Sequence, residues 1–546
     1  METFTGKSVF EGVVIGKIRL YQKDEQHIVC HSITDPEAEK RRYEEAVSTA
    51  TLELKRLYEH ACKDISSTTA GVFLAHQLML VDEEFTGAVY RIIEEEAVNA
   101  EYAIKLTRER YYEVFEKLDN DYLQRRAADL KDVTDRLLTV LTKEQDDSFE
   151  MTEPVILLAN DLLPSDTVKM EKDKILSFVT VQGSLNSHAA ILARSMGIPS
   201  LVKTKMVLSR QYDGALGIVD GLNGRIIINP DEATLYTMKR IQEETNRIRR
   251  LLEKYKGKEA VTREGKKIPI YANIGNMEAL EAAINNDAEG VGLFRSEMVY
   301  LSRDTYPTEE EQFEIYRSVL QKMQGKRVMI RTLDIGSDKQ CDYFGILPET
   351  NPALGYRAIR ICLSKPEIFK TQIRALYRAS QYGKLAIAYP MIANLWEIWK
   401  IKEICAQVEE ELMAEGLAFQ KPEQGIIIET PAAVMISDEL AREVDFFSIG
   451  TNDLLQYTLA LDRQNSKLDQ FYDAHHPALL RMISMVVKAA HQNGITVGIC
   501  GELGSDLTLT NQLVKLGIDD FSVAAERILP LRQMIIDHEK KMTCKD

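Results

Sequence analysis

Positive charge is in deficit in this chain. Its 68 lysines and arginines stand against 84 aspartates and glutamates, a formal net charge of −16 over 546 residues. Nucleic-acid and anionic-membrane binders need clustered cations, so this balance disfavours both. Long apolar runs are missing as well. No stretch approaches the about 18 consecutive apolar residues that a membrane span needs, and the opening METFTGKSVFEG holds no segment resembling a signal peptide. None of the seven scattered cysteines forms a CxxC pair, which points to reduced thiols in a cytoplasmic protein. Proline and glycine are nearly absent between Asp35 and Glu144, which argues against long loops there.

What is present is globular: 45% hydrophobic and 28% charged residues. The length corresponds to roughly three or four domains. Residues 8–21 and 154–228 carry short Val/Ile-rich runs bounded by Gly, Pro, Asp and Asn, which predict strands of one small α/β unit. Between them the apolar spacing is helical, as in Ala46, Ala50, Leu54, Leu57 and again in Leu130, Val133, Leu137, Leu138, Leu141. The helical block is thus expected as an insertion into the α/β unit. Residues 231–257 predict a charged, solvated linker helix. From residue 266 onward, eight strand-like runs alternate with helical stretches, which predicts a (β/α)8 barrel, with a doubly wound sheet as the other architecture.

Barrel chemistry sits at the C-terminal ends of strands. Polar residues fall there: Arg295 in GLFRSE, Arg331 in IRTLDIG, Glu429 in IIIETPAA, Asn452 and Asp453 in SIGTND with Arg463 after them, and Cys500 with Glu502 in GICGELGSD. Converging guanidinium groups suit a multiply charged anion; the other reading is that each arginine pairs with a carboxylate in a structural network. Two carboxylates from separate strands suit a hard cation such as Mg²⁺. Cys500 reads either as a buried hydrophobe or as a catalytic thiol, because Gly498 and Gly501 would let backbone approach a ligand. In VQGSLNSHAAILARSMGIPS a helix is expected to start near Ser187 or His188, with Ser187 or Asn186 as N-cap, and to stop at Gly197. His188 there reads either as a capping or surface histidine or as a nucleophile, because the first turn would favour the neutral, nucleophilic imidazole and its free N–H groups would favour an attached phosphoryl group.

With NSHAAILARSMGIPS, AEGVGLFRSEMVYL, RTLDIGSDK, NPALGYRAIR, ETPAA, VDFFSIGTNDLLQYTLALDR and GICGELGSD in this order, the chain resembles enzyme I of the bacterial phosphoenolpyruvate:sugar phosphotransferase system over nearly its whole length. The resemblance implies an α/β multidomain protein. A swivelling phosphohistidine domain (1–33 and 146–230) is interrupted by a helical domain that binds the carrier protein HPr (34–145). A linker helix (231–259) then leads to a phosphoenolpyruvate-binding (β/α)8 barrel (260–546). It further implies that His188 accepts the phosphoryl group and that Cys500 protonates the enolate of pyruvate. Arg295, Arg331, Asn452, Asp453, Arg463 and Lys339 would hold the substrate, Glu429 and Asp453 would bind Mg²⁺, and Arg126 would lie near the phosphohistidine. A cytoplasmic homodimer is expected. Relatives continue with further helices past this chain's last residues, so barrel closure and dimer packing are expected to draw on less chain here. The family usually has Gly-Gly-Arg-Thr-Ser-His before the active histidine; here it is Gly183-Ser184-Leu185-Asn186-Ser187-His188, a change expected to bear on phosphohistidine stability or acceptor choice. The competing readings are a specialised paralogue with a dedicated HPr-like acceptor, in regulation or dihydroxyacetone phosphorylation, and a non-catalytic sensor.

Overall fold

The Val/Ile-rich runs at the start of the chain and at 154–228 fold into one eight-stranded sheet. In the computed structural model, the described residues are all those outside 23–27, 65–66, 117–120, 143–150, 152, 185–186, 263, 302, 304, 337–341, 348, 464 and 544–546. The sheet comprises β1 (Glu2–Thr5), β2 (Lys7–Phe10), β3 (Val13–Tyr21), β4 (Val155–Ala159), β5 (Ile175–Thr180), β6 (Ser200–Val202), β7 (Leu216–Asp220) and β8 (Arg225–Ile228), in the order β1-β8-β7-β3-β4-β5-β6-β2. Strand β4 reads VILLA and is buried throughout, because a hydrophobic cluster lies on each face.

Strands β3 and β4 pair in parallel, Lys17 opposite Val155 through Tyr21 opposite Ala159. The chain between them forms the helices Pro36–Asp64, Ser67–Leu80, Glu83–Glu96, Ala100–Glu116 and Asp121–Thr142. Their inward faces share a core of Tyr43, Leu54, Phe73, Ile93, Ile104 and Leu137. Helix Glu232–Glu253 buries Met238 against Val13, Ile218 and Ile227 and exposes most of its remaining surface. The chain divides into two units, Met1–Ile248 and Arg249–Asp546.

In the second unit β9 (Ile270–Ile274), β10 (Gly290–Arg295), β11 (Arg327–Arg331), β12 (Leu385–Tyr389), β13 (Glu423–Ile428), β14 (Phe446–Ile449), β15 (Thr496–Ile499) and β16 (Asp520–Val523) form a closed barrel. Every adjacent pair is parallel, including β16 with β9. This removes the doubly wound alternative, and the barrel closes within the chain. Its interior is filled by Leu293, Met329, Ala386, Ala388, Ile427, Phe446 and Cys500, while the main core lies between strands and surrounding helices. All strands point the same way, so their C-terminal ends form a single mouth.

Candidate active site

Arg295 ends β10 and Arg331 ends β11, while Glu429 and Cys500 directly follow β13 and β15. Arg331 is buried. Its Nη2 donates to Glu297 Oε1 at 2.6 Å and its Nη1 pairs with Asp334 Oδ2 at 2.9 Å. The other oxygen of Asp334 accepts from Arg357 Nη2 at 2.7 Å, and Arg357 Nη1 donates to the Tyr457 hydroxyl at 3.3 Å. Desolvation works against charge on both guanidinium groups, but the surrounding carboxylates, Asp334 foremost, outweigh it and raise both pKa values. The Nε atoms of Arg331 and Arg357 are buried with no acceptor among the described residues. Buried donors of this kind call for an acceptor, and an anion supplies one. Arg295 is exposed and has no carboxylate partner among the described residues.

The backbone here is strained. Ala358, directly after Arg357, has φ 51°, and Met391 has φ 60°. Left-handed conformations at non-glycine residues persist only where the surroundings enforce them. Met391 uses its N–H to donate to Glu429 Oε1 at 2.6 Å. That carboxylate is 1% exposed. Burial first, and then the negative charges of Asp453 and Asp334, push its pKa up to about 8 despite Arg331 and Arg357.

Asp453 lies in the first turn of helix Thr451–Leu459 and is buried. Its Oδ1 accepts no hydrogen bond among the described residues, with Arg463 Nη2 at 3.7 Å and Arg357 Nη1 at 4.0 Å. A buried carboxylate short of donors, beside a second one whose ionisation it opposes, is the arrangement a divalent cation relieves. Among the described residues no group of three or more histidine, cysteine or carboxylate side chains is placed to chelate an ion. Two carboxylates with open positions nevertheless fit Mg²⁺, which keeps several waters or substrate oxygens in its shell.

Asn452 Oδ1 accepts from the Glu502 N–H at 3.1 Å, which ties the end of β14 to the end of β15. The approach is close: a Cβ on Gly501 would fall 1.9 Å from Thr451 Oγ1. Asn452, Arg463, Tyr472 and Glu502 line a cavity of about 300 Å³. Cys500 is buried, with Sγ 3.6 Å from the Ile449 carbonyl. Desolvation raises its pKa to about 11, so the group is a thiol at neutral pH and has a proton to give.

In the first unit, helix His188–Met196 starts at the expected histidine and ends at Gly197, whose φ of 63° suits glycine. Ser187 has the extended N-cap backbone, but its hydroxyl makes no capping hydrogen bond and is buried without a partner among the described residues. The side chains of His188 and Arg126 lie outside the described residues, as do Leu185, Asn186 and Lys339.

The sequence therefore located Arg295, Arg331, Glu429, Asn452, Asp453, Arg463 and Cys500 at one mouth. It missed Glu297, Asp334 and Arg357. Asp334 lies three residues past Arg331 in a polar segment after a strand end, a usable signal. Arg357 lies in the excursion between β11 and β12, and only its contacts reveal it.

Three family descriptions match the chain in order. They are the N-terminal part of PEP-utilising enzymes over residues 5–126, their mobile domain over 151–224, and their PEP-binding domain over 249–540, more than half of the chain. The chain belongs to the PEP-utilising enzymes. The PEP-binding match contains every mouth residue named above, and the mobile-domain match contains His188. The chain is similar to the phosphoenolpyruvate-protein phosphotransferase of Bacillus subtilis, 41% identical over 540 residues, covering 98% of this chain and 94% of that protein. It is similar also to the protein of that name from Geobacillus stearothermophilus, 42% identical over 538 residues with 98% and 93% covered. The Listeria monocytogenes counterpart is 41% identical over 532 residues, with 97% and 93% covered.

Proposed function

We propose that this chain is a phosphoenolpyruvate-protein phosphotransferase. It takes the phosphoryl group of phosphoenolpyruvate onto His188, releases pyruvate, and passes the group to a histidine of a phosphocarrier protein. The observation that carries this reading is the barrel mouth: guanidinium groups with unmatched buried donors, a carboxylate pair, and a protonated thiol at adjoining strand ends.

Roles follow from chemistry. Arg295, Arg331 and Arg463 bind the phosphate and carboxylate oxygens, Arg357 joins them, and Asn452 donates its amide. Glu297 and Asp334 hold Arg331, with Asp334 shared by Arg357. Lys339 is assigned a further phosphate contact. Arg295, Arg331, Arg357 and Arg463 face Glu297, Asp334 and Asp453, while burial keeps Glu429 largely protonated at neutral pH in the metal-free site, so the side chains alone leave a positive surplus for an anion. Glu429, once deprotonated, and Asp453 would hold Mg²⁺, which would supply charge neutralisation at the phosphoryl oxygens. Cys500 delivers the proton that turns the leaving enolate into pyruvate. His188 attacks phosphorus with a ring nitrogen.

The domain assignment follows the same reading: residues 1–33 and 146–230 swivel, 34–145 dock the carrier, 231–259 link, and 260–546 bind phosphoenolpyruvate. The carrier is HPr. Leu74, Leu78 and Val81, all exposed beside the acidic Asp82, Glu83 and Glu84, support docking of a basic, partly apolar partner there. Trp396 and Trp399, half exposed three residues apart on helix Leu395–Ala414, support a homodimer through the barrel. The location is the cytoplasm, and no described helix is long and apolar enough to cross a membrane. The altered loop before His188 favours, as a second reading, a dedicated HPr-like acceptor.

Pyruvate release, followed through a coupled dehydrogenase, tests the proposal. Sustained turnover is expected only when phosphoenolpyruvate, Mg²⁺ and HPr are all present. Turnover independent of any acceptor protein contradicts it.

A further inference from the structure

At the opposite end of the barrel is a second cavity, of about 660 Å³. Its lining comes from the starts of strands: Pro269 precedes β9, Arg327 opens β11, Lys384 precedes β12, and Lys421 precedes β13. Strands of five residues put it roughly 15 Å from the mouth, so none of its lining belongs to the site described above.

Its charge is unlike that of the chain as a whole. Lys267, Lys326, Arg327, Lys384 and Lys421 line it, against Glu289 and Glu423, in a protein of net charge −16. Some of these cations have ordinary structural work. Helices flanking a parallel barrel end at this face, and their negative dipole ends attract lysines. Lys326 Nζ donates to the Ala288 carbonyl at 2.7 Å, just past helix Met277–Asn285. Lys267 lies between Glu259 at 2.7 Å and Glu289 at 3.1 Å.

Of the five cations, Lys326 and Lys384 have no ion pair among the described residues. Arg327 pairs with Glu423 at 2.9 Å and stacks 4.5 Å over the Phe446 ring, which fixes a guanidinium at the cavity wall. The register Val328 opposite Leu385 sets Lys384 beside Arg327. Lys384 is exposed, with neither carboxylate nor carbonyl partner among the described residues. Lys421 reaches Glu409 only at 3.5 Å and is itself well exposed. Lys326 spends its hydrogen bond on a neutral carbonyl. Like charges held side by side in a concavity concentrate counter-ions, and the repulsion is relieved by an anion that spans them.

We propose that the N-terminal face of the barrel binds a compact polyanion, a small phosphorylated or polycarboxylate metabolite. Arg327 and Lys384 are its anchors, with Lys326 and Lys421 on the rim. This site is independent of the phosphoenolpyruvate site.

The test is calorimetric titration of the full metal-free chain with inorganic pyrophosphate and, separately, with citrate, on a background of Arg295→Ala and Arg463→Ala that disables the mouth. One-to-one binding of at least one probe is expected on that background. It should weaken about tenfold or more on adding Lys384→Glu, as loss of a charge-assisted contact predicts. Lys384→Glu in the otherwise native chain should leave phosphoenolpyruvate turnover unchanged. Lys421→Glu serves as a second variant, with circular dichroism confirming the fold of each. Tight pyrophosphate alone assigns a phosphate ligand; tight citrate alone assigns a carboxylate ligand. Failure of both probes to bind, or affinity unmoved by both lysine substitutions, overturns the proposal.

Discussion

Arg357 donates to Asp334 at 2.7 Å, with both side chains buried. The same carboxylate holds Arg331 from its other oxygen at 2.9 Å. One aspartate thus fixes two guanidinium groups from different parts of the chain and sets their spacing. Removing one partner of a buried pair leaves the other charge uncompensated, at a cost of about 3–5 kcal/mol. Asp334→Asn should therefore lower stability by about that much, read by urea unfolding. Arg357→Ala should reduce kcat/KM for phosphoenolpyruvate about 10²–10³-fold, the range for losing one preorganised donor. Turnover within twofold of native in Arg357→Ala would remove Arg357 from the site.

Cys500 should behave as a poorly reactive thiol. Its pKa is raised to about 11 by burial, and only the thiolate alkylates readily. At pH 8 iodoacetamide should modify the exposed Cys30 well before Cys500, with Cys500 labelling only as pH climbs toward 11, read by peptide mass spectrometry. For a thiol whose folded pKa lies above its ordinary 9.0, the protonated form carries the stabilisation. That contribution is complete below about 9 and is lost as pH rises through about 11. Cys500→Ala should cut pyruvate formation by about 10²-fold or more. Rapid labelling of Cys500 at pH 7 would contradict its role as the acid.

Glu429 gives a signed pH dependence in the metal-free protein. Its folded pKa, about 8, lies above the ordinary 4.5. Stability from this group is therefore present below pH 4.5 and falls as pH rises through 8. Glu429→Gln should flatten that slope and raise metal-free stability at pH 8, while weakening Mn²⁺ binding by at least about tenfold in spin-resonance titrations. Unchanged Mn²⁺ affinity would exclude Glu429 as a ligand.

Leu78 tests the carrier surface. It is 70% exposed on helix Ser67–Leu80, so Leu78→Glu should not disturb the fold. It should raise KM for HPr about tenfold and leave labelling of the chain by phosphoenolpyruvate intact. An unaltered KM for HPr would move the docking surface elsewhere.

Much of this site was legible because a closed parallel barrel puts strand-end residues together. Arg331, Glu429, Asp453 and Cys500 each sit within a few residues of an apolar run, so strand periodicity found them. Helix His188–Met196 was legible from Gly197 and the apolar spacing around Ala189 and Leu192. Arg357 and Glu297 were not assigned, because their roles rest on tertiary pairing with Asp334 and Arg331 and no local pattern encodes that. The Ser187 cap was read from residue preference, yet its hydroxyl stays unpaired among the described residues, since preference sets backbone conformation more firmly than a particular hydrogen bond. The lysine-rich cavity escaped altogether, because its cations come one or two per strand start and form no run.

The central claim is that His188 carries the phosphoryl group. The direct measurement is labelling of the native chain and of His188→Ala by ³²P-phosphoenolpyruvate with Mg²⁺, followed by acid treatment and then a chase with HPr. Acid-labile label on the native chain alone, moving to HPr, is the predicted result. Label of equal amount on His188→Ala, or no label on the native chain while phosphoenolpyruvate still binds, would contradict the account.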